Sequence, residues 1–279
     1  MNRYQESNRA DTPSEIEEID NPTLDPSNYA SPRMYKSDSA GVSPSPEVRS
    51  AITRVLNVDP TSDLTGYSYE GSHGRYVTFF WQSASNDFQD DSTKHSLSKR
   101  SAGIYHSTFL KTGTGWTLVG RPVLVTLNAK KQSPLAAVNW SNGLKGAVYY
   151  LNERHLVCEQ LTIDGGKTWH EGSLTEWAIP ARTNSDLSAM VNWESLKGME
   201  IFLYFQDESN RIRELRFKAE TREWYEDNID LFNGLSGTSI SRGADSGYNL
   251  RRSMYIQSSA RVIDEFYYKE NEWTLCKST

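Results

Sequence analysis

Along most of this 279-residue chain, short apolar runs alternate with short polar breaks, and the runs come in sets of four. The clearest set opens with Leu187-Ser188-Ala189-Met190-Val191-Asn192-Trp193. It continues with Ile201-Phe202-Leu203-Tyr204-Phe205-Gln206-Asp207 and Arg211-Ile212-Arg213-Glu214-Leu215-Arg216-Phe217, and closes at Glu223-Trp224-Tyr225. Each run is rich in β-branched and aromatic residues and is bounded by Asp, Asn, Ser or Gly, which predicts a strand. Four short strands in succession predict one antiparallel blade.

The pattern recurs on both sides of this set. Upstream stand Leu135–Trp140, Ala147–Asn152, His155–Leu161 and Thr168-Trp169; downstream stand Thr238–Ile240, Ser253–Gln257, Val262–Tyr268 and Glu272-Trp273. A looser copy uses Ser50–Ile52, Val77–Gln82, Gly103–Thr108 and Gly115-Trp116, with Asp59–Arg75 and Ser83–Arg100 as polar insertions. The closing residues Trp116, Trp169, Trp224 and Trp273 lie 53, 55 and 49 residues apart, a blade-sized period. The prediction is an all-β chain, a β-propeller of four-stranded antiparallel blades over residues 50–279, with one or two further degenerate blades left open. Repeated tryptophans at one repeat position suit packing between blades. Residues 1–49 are acidic and interrupted by Pro13, Pro22, Pro26, Pro32, Pro44 and Pro46. They read as a tail or extended arm, with a degenerate blade as the competing reading.

Charge removes one class of function. A net charge of −6 and a pI near 5.5 leave no basic stripe for nucleic acid. No apolar run is long enough to span a membrane and the N-terminus lacks a signal-peptide pattern, so a cytoplasmic protein is expected. Cys158 and Cys276 fit free thiols, the five histidines show no metal-ligand spacing, and no cofactor motif is present. Thr162-Ile163-Asp164-Gly165-Gly166-Lys167-Thr168-Trp169 matches the Asp-box hairpin and resembles those of sialidases, where the box is a structural staple. Neither the arginine cluster nor the Tyr-Glu nucleophile pair of sialidase chemistry can be assembled here.

Taken in their fixed order, Leu-Ala-Ala-Val-Asn-Trp, the Tyr-Phe-Gln-Asp and Ile-Arg-Glu-Leu strands and the terminal Trp resemble the fungal fucose-specific lectins, well over residues 135–279 and loosely over 50–125. The resemblance implies a propeller that binds sugar between adjacent blades, through an Arg of the second strand, a Glu of the third and an aromatic wall from the neighbouring blade. It carries the acceptor over to Glu159, Glu214 and Glu265, with His106 at the corresponding place in the first blade. Where the lectins carry Arg, this chain has Thr78, Ala147, Phe202 and Ser253. Arg252 is one residue out of phase, so alternation turns it to the opposite face, where it is not expected to substitute.

Two functions are compatible with that pattern. In one, a repurposed lectin scaffold binds a hydrophobic, oxygenated metabolite through His106, Tyr149, Tyr204, Tyr255, Phe202 and the three glutamates. It would act without cofactor as an enzyme, resembling the lectin-fold hetero-Diels-Alderases of fungal secondary metabolism, by holding two reactants together. In the other, the chain is a fucose- or other sugar-binding lectin with altered specificity and no enzymatic activity. Either takes a small-molecule ligand, and pairing with a second copy as a homodimer would offer a way to close the ring.

Overall fold

The computed structural model describes residues 58–59, 61–83, 101–113, 115–194, 198–227, 232–244, 252–269 and 272–278, all within one compact unit, Lys36–Thr279. The 1–49 segment, the Ser50–Ile52 run and most of the Ser83–Arg100 insertion lie outside the described residues. The first sheet comprises β1 (Thr65–Gly71), β2 (Gly74–Gln82), β3 (Ser101–Thr112) and β4 (Gly115–Lys130). The second comprises β5 (Leu135–Trp140), β6 (Lys145–Leu151), β7 (Val157–Thr162) and β8 (His170–Glu171). The third is built from β9 (Leu187–Glu194), β10 (Gly198–Gln206), β11 (Ile212–Lys218) and β12 (Glu223–Asp227), the fourth from β13 (Ile240–Ala244), β14 (Arg252–Ser259), β15 (Val262–Lys269) and β16 (Glu272–Ser278). Every sheet is antiparallel and runs in simple sequence order, which is the blade architecture of a propeller.

One boundary differs from the sequence reading. The first strand of blade one is β1, inside the stretch expected to be an insertion. Gly71 and Gly74 oppose each other across a two-residue turn, and Thr65 to Gly71 then pairs with β2 along its whole length. The glycines and polar residues that read as loop belong to that hairpin.

The first strands of successive blades contact one another, β1 with β5, β5 with β9 and β9 with β13. Small residues such as Ala136, Ala137, Ser188 and Ala189 let these strands converge. The second strands of blades two and three are buried almost end to end because both of their faces are covered. In β6, Ala147, Tyr149 and Leu151 pack with Ile201, Leu203 and Phe205 of blade three, while Val148 and Tyr150 pack with Tyr67 and Phe80 of blade one. Phe202 and Tyr204 turn the other way, onto Met254 and Ile256 of blade four. Alternation thus assigns each residue of a second strand to one neighbouring blade or the other.

A hydroxyl staple that the aromatic pattern hides repeats in all four blades. Ser62, Ser133, Ser185 and Thr238 each donate to the carbonyl of the next residue. Each also accepts, at 2.8 Å, an amide near the end of its blade's second strand, from Gln82, Leu151, Gln206 and Gln257. Asp186 adds a link between blades, accepting the Leu187 amide with one oxygen and the Ile240 amide of the next blade with the other; Asp63 does the same for Leu64 and Leu135.

The closing tryptophans pack as the repeat implies. Trp169 meets Phe80 edge-on at 5.6 Å, Trp224 meets Tyr149 at 5.9 Å and Trp273 meets Tyr204 at 6.2 Å, each reaching back to the preceding blade. Trp116, with no preceding blade among the described residues, is 39% exposed. Trp224→Ala is expected to lower stability by about 3–5 kcal/mol in chemical denaturation, since it removes a large buried ring from a packed interface. A loss within measurement error would show that the ring is not part of the core.

Candidate functional site

Cross-strand register brings the expected acceptors into one repeated position. Phe80 pairs with His106, Tyr149 with Glu159, Tyr204 with Glu214 and Tyr255 with Glu265, always between the second and third strands. In the first three blades this rung faces the next blade and its closing tryptophan. A polar group buried there needs a partner, because an unsatisfied acceptor away from water costs several kcal/mol, about 2–7.

Each of the three crevices satisfies its rung differently. Between blades one and two, His106 Nε2 donates to the carbonyl of Gly166 at 2.8 Å, and the ring packs against Phe80 and Trp169. Burial lowers the imidazole pKa, which keeps the ring neutral. The carbonyl comes from the Asp-box hairpin. There Asp164 accepts the amides of Lys167 and Thr168 and the Thr168 hydroxyl, which hold its carboxyl well below the usual range. Gly166 has φ +86, and a Cβ on it would come within 2.8 Å of the imidazole, so this approach requires glycine.

Between blades two and three, β8 stops at Glu171, and the chain folds over the rung as a 3-10 helix, Ser173–Trp177. Leu174 is fully buried and its amide donates to Glu159 Oε2 at 3.3 Å. The Thr175 hydroxyl accepts the Glu159 amide at 2.9 Å and donates to the Glu159 carbonyl at 3.3 Å. A Cβ at Gly172 would collide with the carboxylate. Burial pushes Glu159 up to about 7, against the opposing pull of the Leu174 amide, the Tyr149 hydroxyl and the Trp224 indole.

Between blades three and four, the acceptor holds a guanidinium. Arg252 Nη1 donates to Glu214 Oε2 at 3.1 Å and to the Tyr204 hydroxyl at 3.3 Å. Its guanidinium carbon lies 4.0 Å from the Phe202 ring centre and 3.7 Å from that of Tyr268. Arg252 does turn to the opposite face of its own sheet, in phase with Met254 and Ile256. That face confronts blade three, so Arg252 does not take the place of the second-strand arginine of its own blade but supplies a cation to Glu214 of the preceding one. Phe202 is 1% exposed, with the guanidinium groups of Arg252 and Arg216 over its ring at 4.0 and 5.3 Å and Arg216 itself paired to Glu200.

The fourth rung is open. Tyr255 donates to Glu265 Oε1 at 2.8 Å, and the tyrosine is 37% exposed. The expected residues are therefore not gathered in one pocket. His106, Tyr149 with Glu159, and Tyr204, Phe202 and Glu214 lie in three separate closed crevices, and Tyr255 with Glu265 at the partly exposed rung of blade four. Among the described residues, no group of three or more His, Cys, Asp or Glu is placed to hold a metal ion, and no helix is long and apolar enough to cross a membrane.

The comparisons agree with this architecture. A family model described as fungal fucose-specific lectin matches residues 101–279. The six-bladed β-propeller lectin of Aleuria aurantia aligns at 23% identity and a TM-score of 0.62, covering 80% of this chain and 65% of that one. The lectin AofleA from Arthrobotrys oligospora aligns at 18% identity and a TM-score of 0.60, covering 79% and 57%. This chain thus spans less than two thirds of either lectin's length. No curated protein matches it. The expectation of a cofactor-free enzyme of the Diels-Alderase kind is overturned: the match is to a sugar-binding lectin family, and the acids and the histidine that would share the chemistry stand in different blades.

Two consequences are measurable. Glu159 titrates near 4.5 when unfolded and near 7 when folded, so its contribution to stability is complete below pH 4.5 and is lost as pH rises through 7. Unfolding free energy should fall over that window, and Glu159→Gln should flatten the fall. A slope that is unchanged in the variant would remove Glu159 as its source. Arg252→Met should destabilise the fold by about 3–5 kcal/mol by leaving Glu214 buried without its cation, and adding Glu214→Gln should restore much of the loss. Additive losses in the double variant would mean that the pair is not coupled.

Proposed function

Because the chain belongs to the fungal fucose-specific lectin family, we propose that it binds carbohydrate, with a specificity altered from that of the fucose lectins, and does not transform it. The observation that carries this reading is the solvent-facing rung of blade four, Tyr255 with Glu265. A carboxylate there accepts from sugar hydroxyls, and the phenol supplies both a polar tip and an apolar wall. The three buried rungs have their polar groups engaged by the chain's own Gly166 carbonyl, Leu174 amide and Arg252 guanidinium, which supports placing recognition at the open one.

Specificity follows from what stands beside that rung. Ser253, paired in register with Tyr267, occupies the place that the resemblance assigns to arginine. A short neutral side chain there leaves a hydroxyl of the sugar without its charged donor, so binding is weak and selects for other contacts. Calorimetric titration with methyl α-L-fucoside, methyl α-D-mannoside and methyl β-D-galactoside should detect binding of at least one sugar. Glu265→Gln should weaken it roughly tenfold or more without changing the melting temperature. Absence of binding across these sugars and on a glycan array would overturn the reading.

A further inference from the structure

Resting on the carbohydrate-binding reading, we infer that the chain carries a second sugar site, in the cleft of about 310 Å³ between the 3-10 helix of blade two and the β10–β11 turn of blade three. The cleft lies outside the Glu159 crevice, and the segment that closes that crevice builds it. Trp177, the last residue of the helix, lines it and is 44% exposed. The backbone on either side is tied down. Gly172 donates to the Glu159 carbonyl at 3.0 Å, the Ile179 carbonyl accepts the Val157 amide at 2.9 Å, and Pro180 bridges to Leu156. Ala178, in a left-handed conformation at φ 51, turns the chain between these anchors. The indole is therefore presented on a braced segment, so little ordering is needed when a ligand stacks on it.

The opposite wall is polar and equally fixed. Asp207 accepts the amides of Ser209 and Arg211 at 2.9 Å each and Arg211 Nε at 3.0 Å, so this carboxylate is engaged in holding its own turn. Arg213 spans the wall, 3.6 Å from Asp207 on one side and paired with Glu226 on the other. Both Arg213 and Glu226 keep part of their surface exposed, at 25% and 33% of the side chain. A guanidinium with N–H groups to spare and a carboxylate with a second oxygen, set across from an indole face, bracket vicinal hydroxyls while the ring covers the apolar side of a pyranose. An anionic ligand would face Glu208 and Glu226. The volume is at the lower end of the roughly 300–1,000 Å³ of small-ligand sites. Together these features fit one neutral pyranose at the end of a glycan.

The same three methyl glycosides and N-acetylglucosamine, titrated into the full chain by calorimetry and tryptophan fluorescence, test the inference. In a Glu265→Gln background, sugar binding should persist, and adding Trp177→Ala should weaken it roughly tenfold or more. Trp177→Phe, which keeps a stacking face, should restore part of the affinity. An unchanged melting temperature in the alanine variant would separate lost contact from lost fold, since the ring is exposed. If Glu265→Gln alone abolishes all binding, or if Trp177→Ala leaves binding in that background intact, the second site is wrong and the lectin reading stands. If the unmodified chain binds none of these sugars, both fall.

Discussion

A polar side chain buried between two sheets must find its hydrogen-bond partner within the crevice, and this requirement shapes the molecule at three successive places. The blades are tied to one another by apolar contact, but at one rung the second and third strands present His106, Glu159 or Glu214 to the neighbouring blade. Water is excluded there by the closing tryptophans and their partner rings. A peptide carbonyl, a helix-turn amide and a guanidinium supply the missing partners in turn. The local architecture that distinguishes one blade from the next follows from these three answers: the Asp-box hairpin, the shortened β8 with its 3-10 helix, and the cation at the start of β14.

Such answers give the rung a structural role in these three blades. The pairing of Arg252 with Glu214 combines charges that are costly to bury singly, and stacking against Phe202 and Tyr268 replaces part of the hydration that the guanidinium loses. The rung of Glu159 is held differently, by a carboxyl whose pKa burial raises towards neutrality. At blade four the same rung keeps access to solvent, with Tyr255 37% exposed and donating to Glu265.

Much of the framework was legible from residues alone. Tyr149, Tyr204 and Tyr255 recur at one repeat position and Glu159, Glu214 and Glu265 at another, and the register of the folded sheets makes them cross-strand partners. The hydroxyls at 62, 133, 185 and 238 were a repeat signal of the same kind, hidden because a single Ser or Thr in a loop carries no hydrophobic period. Thr65 to Gly71 was obscured by glycines that signal loop and hairpin alike. The cleft residues Trp177, Arg213 and Glu226 had no common signal at all, for they come from different blades and meet only when two sheets are placed face to face.

Period and alternation are properties of neighbouring residues along one chain, and they sufficed to specify strands, blades, the packing role of the tryptophans and the side to which Arg252 turns. What lies on that side is a property of two sheets. The sequence could place the guanidinium out of phase with its own blade's acceptor, but only the docking of blade four on blade three put it beside Glu214, because a side chain that leaves one sheet's face enters the next sheet's crevice.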